Sequence, residues 1–515
     1  MPFAVINGSV QRLICLGDGF EVGWMKLSSG LAWVLGIYGA FVLVAFTAMH
    51  DNPLVGATTV TFMVLLVALL IGIVLTVRQA SAPLDLLLVV VVFLFYCVPF
   101  IGYLVNPAAF PFGGAQSVVQ GAVDRSLLYL LLGVFGATTA FRVGSMLRST
   151  RGGNAARVQA LHPGLIVTAF FAYVVFDMAL AARFGVYSRA VDLARPHWWM
   201  RFFTIDAMEF IGLVYAAEHW SALRGRDRKL ILAAGLVDVS YRAVTGSRSA
   251  LFVLGMIWFV YHILRSGSAL RLTSRHIGAV VAAGLLSMAV FPLATAARLY
   301  WFLSAVPGAS ISARGLYNIV SAFGSQLGAT ATTIMTAVFA RLSALDALVY
   351  IIRGQAFNVD RYANLVYEAK VVVNRLTPIH PWPDLIETSR LYGVVYHGTP
   401  WIYLSEQYST YIWTLWGTCY AHFGWWGGQV FAFVLLFIAA AGFQFVRRWN
   451  SPYRLYAEVW WLYSVYLLIN SYGLDATILY SYYLALPVAI ALIGLTWIAR
   501  RQTRVVVSSA GVATA

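Results

Sequence analysis

The sequence predicts an all-α membrane protein that crosses the bilayer about twelve times. Of its 515 residues, 61% are hydrophobic and only 11% are charged. Apolar runs of about 20 residues recur along the chain, and each is long enough to cross a hydrocarbon core of about 30 Å. These runs do not alternate between apolar and polar residues, which disfavours a membrane β-barrel.

Twelve spans follow from these runs. They lie near residues 31–49, 58–77, 85–104, 126–147, 164–182, 202–222, 229–244, 249–264, 276–297, 425–446, 456–473 and 477–499. The sixth and seventh are the weakest, because charged side chains interrupt them: Asp206, Glu209 and Glu218 in the sixth, and Asp238 and Arg242 in the seventh.

The distribution of arginine sets the predicted orientation. Basic clusters fall in alternate short loops, for example at 148–157, 224–229, 265–275 and 447–454, whereas the loops at 50–57 and 105–125 are almost uncharged. Cytoplasmic loops carry an excess of Lys and Arg. Both termini are therefore predicted to be cytoplasmic, in the inner membrane of a bacterium, and an even number of spans agrees with that.

This topology divides the chain into three parts. Residues 1–298 hold spans one to nine, residues 299–423 form one large periplasmic segment, and residues 424–515 hold spans ten to twelve and a cytoplasmic tail. The periplasmic segment is rich in Trp, Tyr, Pro and Gly. Aromatic belts at the membrane interface and stacking on sugar rings both explain this composition, and composition does not separate them.

Composition also excludes several classes of function. The three cysteines are scattered, and neither a carboxylate cluster nor an Asp-x-Asp motif offers a metal site, so no metal and no cofactor is expected. The net charge of +15 is spread over membrane loops, which argues against nucleic-acid binding. Nearly all of the basic residues are arginine, whose planar fork suits phosphate and carboxylate.

One candidate anion site opens the eighth span, at "TGSRS" (245–249). Ser247 is a plausible N-cap, Gly246 lets the backbone approach a ligand, and Arg248 adds a bidentate donor. A helix N-terminus attracts anions through its free N–H groups and its dipole. The competing interpretation is a capped span with an arginine that reaches up to the interface.

Further outer arginines are candidates for the same role. Arg341 precedes a predicted helix that begins near Ser343, with Asp346 as its capping partner rather than as a catalytic group. Arg298, at the outer end of the ninth span, and Arg242 complete the proposed anion-binding set. The alternative for each of these arginines is that it only anchors a span at the membrane interface.

Three motifs together resemble the Wzy-type polymerases of bacterial O-antigen and exopolysaccharide repeat units. They are "TGSRS" (245–249), "RLSALDALVYII" (341–352) and "YAHFGWWGG" (420–428). The resemblance implies a C-type (GT-C-like) membrane glycosyltransferase that works at the periplasmic face without a metal. Its donor would be a growing glycan on undecaprenyl diphosphate and its acceptor a repeat unit on a second such lipid. A chain-length co-polymerase of the Wzz type is the partner that the resemblance implies.

Arginines suit this chemistry, because a departing diphosphate gathers negative charge in the transition state. Arg248 and Arg341 are therefore the leading catalytic candidates. The attacking hydroxyl needs a general base, for which the outer segment offers His397, Glu406 and His422. Each of these three could equally be a residue that only makes a structural hydrogen bond.

Two other functions stay open. An O-antigen ligase would share the architecture but transfer the finished glycan onto the lipid A core. A flippase or transporter for lipid-linked oligosaccharide would also fit twelve spans, but it usually shows internal repeats. No repeat is evident between the two halves of this chain.

Overall fold

A computed structural model gives the architecture of the chain. The structure describes residues 25–48, 54–77, 81–105, 116–147, 163–184, 205–244, 250–266, 271–272, 344–353, 365–377, 414–449, 453–470 and 473–512, together with the single positions 314, 317, 321, 381, 382, 385 and 451. Statements about the fold refer to these residues.

The described chain is a bundle of helices, as the sequence predicts. The helices are α1 (Leu27–Ala48), α2 (Ala57–Leu75), α3 (Ala82–Val92), α4 (Val98–Val105), α5 (Gln116–Met146), α6 (Pro163–Phe184), α7 (Ile205–His219), α8 (Gly225–Val244), α9 (Ala250–Ser266), α10 (Ala344–Arg353), α11 (Leu365–Leu376), α12 (Leu415–Arg447), α13 (Arg454–Ile469) and α14 (Leu474–Val512). Two short strands, β1 (Met25–Lys26) and β2 (Arg271–Leu272), pair antiparallel.

Six helical stretches in the described chain are long and apolar enough to cross a bilayer, which confirms a multi-pass membrane protein. They are Gly30–Thr47, Ala57–Leu75, Ala82–Leu104, Gln120–Met146, Leu415–Arg447 and Leu474–Ile498. Each overlaps a predicted span. The predicted ninth span, 276–297, lies outside the described residues, and the total of twelve stays a prediction.

Five other predicted spans coincide with helices α6, α7, α8, α9 and α13. Helices α7, α9 and α13 are too short and α8 is too charged to qualify by length and composition alone, and in α6 the apolar stretch found among the described residues is Pro163–Phe176. Glu218, one of the charges that interrupt the sixth predicted span, accepts a hydrogen bond of 2.7 Å from Tyr261 and forms an ion pair with Arg265, both on α9. The charge is therefore compensated by a neighbouring helix.

Contacts at both ends show that α2 and α5 run parallel. Near one end, Thr59 donates a hydrogen bond to Asp124. Near the other, the Nη2 of Arg142 donates to the hydroxyl oxygen of Thr76 at 2.7 Å. The twelve-span topology requires this relative direction of the second and fourth spans.

Helix α5 and residues 425–447 of α12 likewise run parallel. Gln429 donates to the backbone carbonyl of Tyr129 at 2.8 Å, and Arg448 donates to the carbonyl of Leu147 at the far end. The same topology requires this of the fourth and tenth spans. The side of the membrane on which each end lies stays a prediction.

A π-helical turn, Phe93–Cys97, separates α3 from α4 within one continuous span. Pro99 follows it in the sequence. Proline has no backbone N–H and clashes with the carbonyl four residues earlier, so a regular helical ladder cannot continue past it. Tyr38 of α1 donates its hydroxyl to the carbonyl of Cys97, which ties α1 to this turn.

Helix α12 consists of two limbs. Gly424 has φ 68° and ψ −161°, so the continuous stretch 415–447 is bent there into a first limb, 415–423, and a second limb, 425–447. At 1.5 Å per residue the second limb alone is about 35 Å long. It coincides with the tenth predicted span.

Two pieces of the predicted periplasmic segment pack inside the bundle. Helix α10 contacts α5, the π-helical turn and α12, and the first limb of α12 is buried at Trp416 and Cys419. Hydropathy did not reveal either piece, because each is shorter than a span. Helix α10 and residues 415–423 therefore contribute to the core of the bundle.

Candidate functional site

The first limb of α12 carries a buried ion-pairing histidine. The Nε2 of His422 lies 2.9 Å from the Oε1 of Glu368 on α11, and the two side chains are only 2% and 4% exposed. The pair joins two elements that are 54 positions apart in the sequence. His422 is the one general-base candidate from the sequence that falls among the described residues.

The second polar atom of each side chain in this pair is unsatisfied. Neither the Nδ1 of His422 nor the Oε2 of Glu368 has a hydrogen-bond partner within the described residues, although both atoms are buried. In the tautomer that donates from Nε2 to the carboxylate, Nδ1 is an acceptor.

Unusual backbone conformations bound the first limb at both ends. Thr414, its N-cap, has φ 64°, and its side chain accepts a hydrogen bond of 3.1 Å from the N–H of Gly417. Gly424, directly after the limb, also has a positive φ, of 68°. A positive φ in a β-branched residue is rare, and such outliers cluster at functional sites.

Close packing fixes the first limb against two spans. A Cβ built at Gly133 of α5 would collide with the indole nitrogen of Trp416. Trp416 also meets Tyr96 of the π-helical turn edge-on, with 5.7 Å between ring centroids. The glycine is therefore required for the indole to sit in this position.

The two limbs of α12 also pack against each other. A Cβ at Gly428 would lie 2.8 Å from the carbonyl oxygen of Cys419, and it would collide with the hydroxyl of Tyr129. Tyr129 stands edge-on to Tyr420 at 5.2 Å and to Trp425 at 5.1 Å. The glycines of "YAHFGWWGG" thus make room for a tight helical hairpin with an aromatic cluster on one side.

Helix α10 supports the opposite side of the first limb. Its face at Leu345, Val349 and Ile352 is buried, as the sequence predicts. A Cβ at Gly417 would lie 2.5 Å from the Cδ1 of Ile351, so α10 and the first limb are in close contact.

Asp346 lies in the first turn of α10, where a capping role was predicted. Its carboxylate accepts a hydrogen bond from Tyr103 of α4. Ser343, the predicted capping partner, lies outside the described residues. Asp346 thus ties α10 to a span, which sequence spacing alone could not indicate.

Helix α11, which carries Glu368, turns polar side chains inward. Its buried residues are Glu368, Val371 and Asn374, and the exposed side includes Val366 and Val373. On a water-soluble protein a helix normally buries its apolar side chains and exposes its polar ones, so α11 has the opposite arrangement. An apolar outer face is typical of a helix that lies in the membrane interface.

Further contacts anchor the C-terminal half of α11. Tyr483 of α14 donates its hydroxyl to the carbonyl of Arg375 at 3.0 Å. The N–H of Trp382 donates to the Oδ1 of Asn374 at 3.0 Å, and the ammonium of Lys370 stands 5.7 Å from the Trp382 ring centroid. Trp and Lys side chains of this kind are frequent at membrane interfaces.

The other predicted site residues are not brought together by the described structure. Those that lie outside the described residues are Gly246, Ser247, Arg248, Arg298, Arg341, His397 and Glu406. Arg242 is in α8, where only its backbone is described. Their roles stay predictions.

Glu368 is the residue that the sequence analysis missed. A signal was available in "LVYEAKVVVNRL" (365–376), where Glu368, Val371 and Arg375 fall on one helical face at spacings of three and four residues. Among the described residues, no group of three or more His, Cys, Asp or Glu side chains could hold a metal ion. No protein-family model, curated protein or solved structure matches this chain.

Proposed function

We propose that the chain is a membrane glycosyltransferase that polymerises undecaprenyl-diphosphate-linked oligosaccharide repeat units at the periplasmic face. The observation that carries the proposal is the buried pair of His422 and Glu368, which leaves one imidazole nitrogen ready to accept a proton. This arrangement suits a general base for a hydroxyl nucleophile. It lies in the motif "YAHFGWWGG" that supports the resemblance.

The reaction needs one proton transfer and one substitution. The acceptor sugar's O–H gives its proton to the Nδ1 of His422 while its oxygen forms a bond to the anomeric carbon of the donor. The bond from that carbon to the diphosphate oxygen breaks, and undecaprenyl diphosphate leaves with the electron pair. Glu368 holds the ring in place and stabilises the imidazolium that forms.

Negative charge develops on the departing diphosphate, and fixed cations there lower the barrier. Arg248 and Arg341 are the proposed donors, supported by Arg298 and Arg242 and by the helix start at Gly246 and Ser247. No cofactor is required in this scheme. The lipid carrier would approach from the membrane, where the apolar outer face of α11 lies.

Both side chains of the pair are buried, so a hydroxyl reaches Nδ1 only when neighbouring segments move. Helix α11 has to stay in place during that movement, because its Glu368 holds the imidazole ring. Hydrogen bonds from Trp382 to Asn374 and from Tyr483 to the carbonyl of Arg375 anchor α11 there.

Deletion of the gene separates the proposed function from its rivals. We expect cells to accumulate a single repeat unit on the lipid carrier or the core, measured by gel electrophoresis and mass spectrometry of extracted glycolipids. Full-length chains stranded on undecaprenyl diphosphate would instead identify a ligase. Repeat units confined to the cytoplasmic leaflet would identify a flippase.

The arginine hypothesis gives a separate prediction. Arg248→Ala and Arg341→Ala should each abolish chain extension while the protein still inserts and accumulates, because the leaving diphosphate loses a charged donor. Arg248→Lys should rescue poorly, since a point charge does not replace a bidentate fork. Chain-length profiles of the complemented deletion strain test this, and normal chains from either alanine variant remove that arginine from the mechanism.

A further inference from the structure

Thr418, on the first limb of α12, has a buried hydroxyl without a hydrogen-bond partner among the described residues. Inside a helix, such a hydroxyl usually donates to the backbone carbonyl four residues earlier. Thr418 is 1% exposed, and its Oγ1 has no partner within the part of the chain that the structure describes. Many other Ser and Thr hydroxyls here donate to the carbonyl four residues earlier, at 2.7–3.0 Å; they include Thr61, Ser126, Thr138, Thr139, Thr377, Ser464, Thr477 and Thr496. A buried unpaired hydroxyl costs free energy unless a ligand or water satisfies it.

The position of Thr418 relates it directly to the base. Thr418 and His422 are four residues apart in one helix, so their side chains share a face with their Cβ atoms about 5–6 Å apart. The other faces of this limb are occupied: Trp416 packs against α5, and Gly417 contacts α10. The shared face is the one that Glu368 of α11 approaches.

Two unsatisfied groups therefore lie on one face of the first limb. The Nδ1 of His422 is an acceptor when Nε2 carries the ring proton, and the hydroxyl of Thr418 can donate as well as accept. Two adjacent sugar hydroxyls complement this set, because one donates to Nδ1 and its neighbour accepts from Thr418. A single hydroxyl would satisfy the base but leave Thr418 unpaired.

We propose that these residues bind a vicinal diol of the acceptor sugar, with Thr418 as the positioning residue. The nucleophilic hydroxyl donates to the Nδ1 of His422. Its neighbour on the ring accepts from the Oγ1 of Thr418. This inference rests on the proposed function and adds a substrate class to it: the acceptor carries a free hydroxyl next to the one that reacts.

The test is a pair of substitutions at Thr418 in the full-length protein, purified in detergent. The substrate is the lipid-linked glycan extracted from the deletion strain. Thr418→Val removes the hydroxyl at almost constant volume, and we expect KM to rise about tenfold, the size of one lost hydrogen bond. Thr418→Ser keeps the hydroxyl and should stay within about threefold of the wild type.

Folding is monitored separately by thermal unfolding. Thr418→Val should melt at or above the wild-type temperature, because it removes a buried hydroxyl that has no partner. Thr138→Val is the matched control: its hydroxyl is bonded to the carbonyl of Val134 in α5, so the substitution should leave KM unchanged.

The outcomes separate the two levels of the proposal. An unchanged KM for Thr418→Val, or equal losses for the valine and serine variants, would overturn the diol site while the polymerase proposal stands. If the wild-type protein does not extend the extracted glycan, the proposed function fails and the diol site fails with it. If the wild-type protein extends the glycan, and Thr418→Val raises KM while Thr418→Ser does not, both the polymerase function and the diol site are supported.

Discussion

His422→Asn is expected to abolish chain extension without loss of the protein from the membrane. Asparagine fills part of the same space, but it is too short to reach Glu368 as Nε2 does, and it has no nitrogen that accepts a proton near neutral pH. General-base catalysis contributes about 10²–10⁴-fold to rates. The extracted glycolipids should therefore show single repeat units, as in the deletion strain.

Glu368→Gln tests the other half of the pair. The amide oxygen can still accept from the Nε2 of His422, so the ring should stay in place while the charge that stabilises the imidazolium is lost. The loss should be smaller than for His422→Asn. Because the two side chains act as one unit, the double variant should be little worse than His422→Asn alone.

A matched control lies at the opposite end of the bundle. His219 ends α7 and stacks on Tyr215, with 4.6 Å between ring centroids. His219→Asn makes the same chemical change away from the proposed site and should leave chain length unaltered. Long chains from His422→Asn, at normal protein levels, would exclude His422 as the base.

Hydropathy predicted the spans well because a bilayer imposes length and composition on any helix that crosses it. All six long apolar helices lie where the sequence placed them. The shorter helices α7, α9 and α13 are present too, although charge and length make them weaker signals. Such helices depend on their neighbours, as the pairing of Glu218 with Arg265 illustrates.

The site was only partly accessible to sequence reasoning. His422 could be named as a candidate, because histidine is a common general base and this one lies in a motif at the end of the predicted outer segment. Its partner could not be named, because Glu368 approaches from a different helix through tertiary packing rather than through spacing. Likewise, the unpaired state of Thr418 is visible only once the helix around it is built.

The two limbs of α12 show a second limit of hydropathy. The sequence placed the tenth span at 425–446, which matches the second limb, but it gave no sign of a separate buried helix at 415–423. The bend between them depends on one backbone conformation, at Gly424, which no hydrophobic pattern encodes.

Gly424→Ala is expected to disable the protein through its backbone alone. With φ 68° and ψ −161°, Gly424 occupies a region that is essentially restricted to glycine. A Cβ there would meet no atom within 4 Å, so the cost arises from the dihedral angles and should be about 1–3 kcal/mol. A first limb that changes direction would also carry His422 away from Glu368, and chain extension should be lost.

Gly136→Ala supplies the comparison that makes this result specific. Gly136 lies inside α5, and a Cβ there also meets no atom within 4 Å, but its backbone is helical. Alanine should stabilise that helix by up to about 1 kcal/mol. Thermal unfolding in detergent and chain-length gels measure both variants side by side. If Gly424→Ala were as stable and as active as Gly136→Ala, the positive φ at Gly424 would not be what holds His422 beside Glu368.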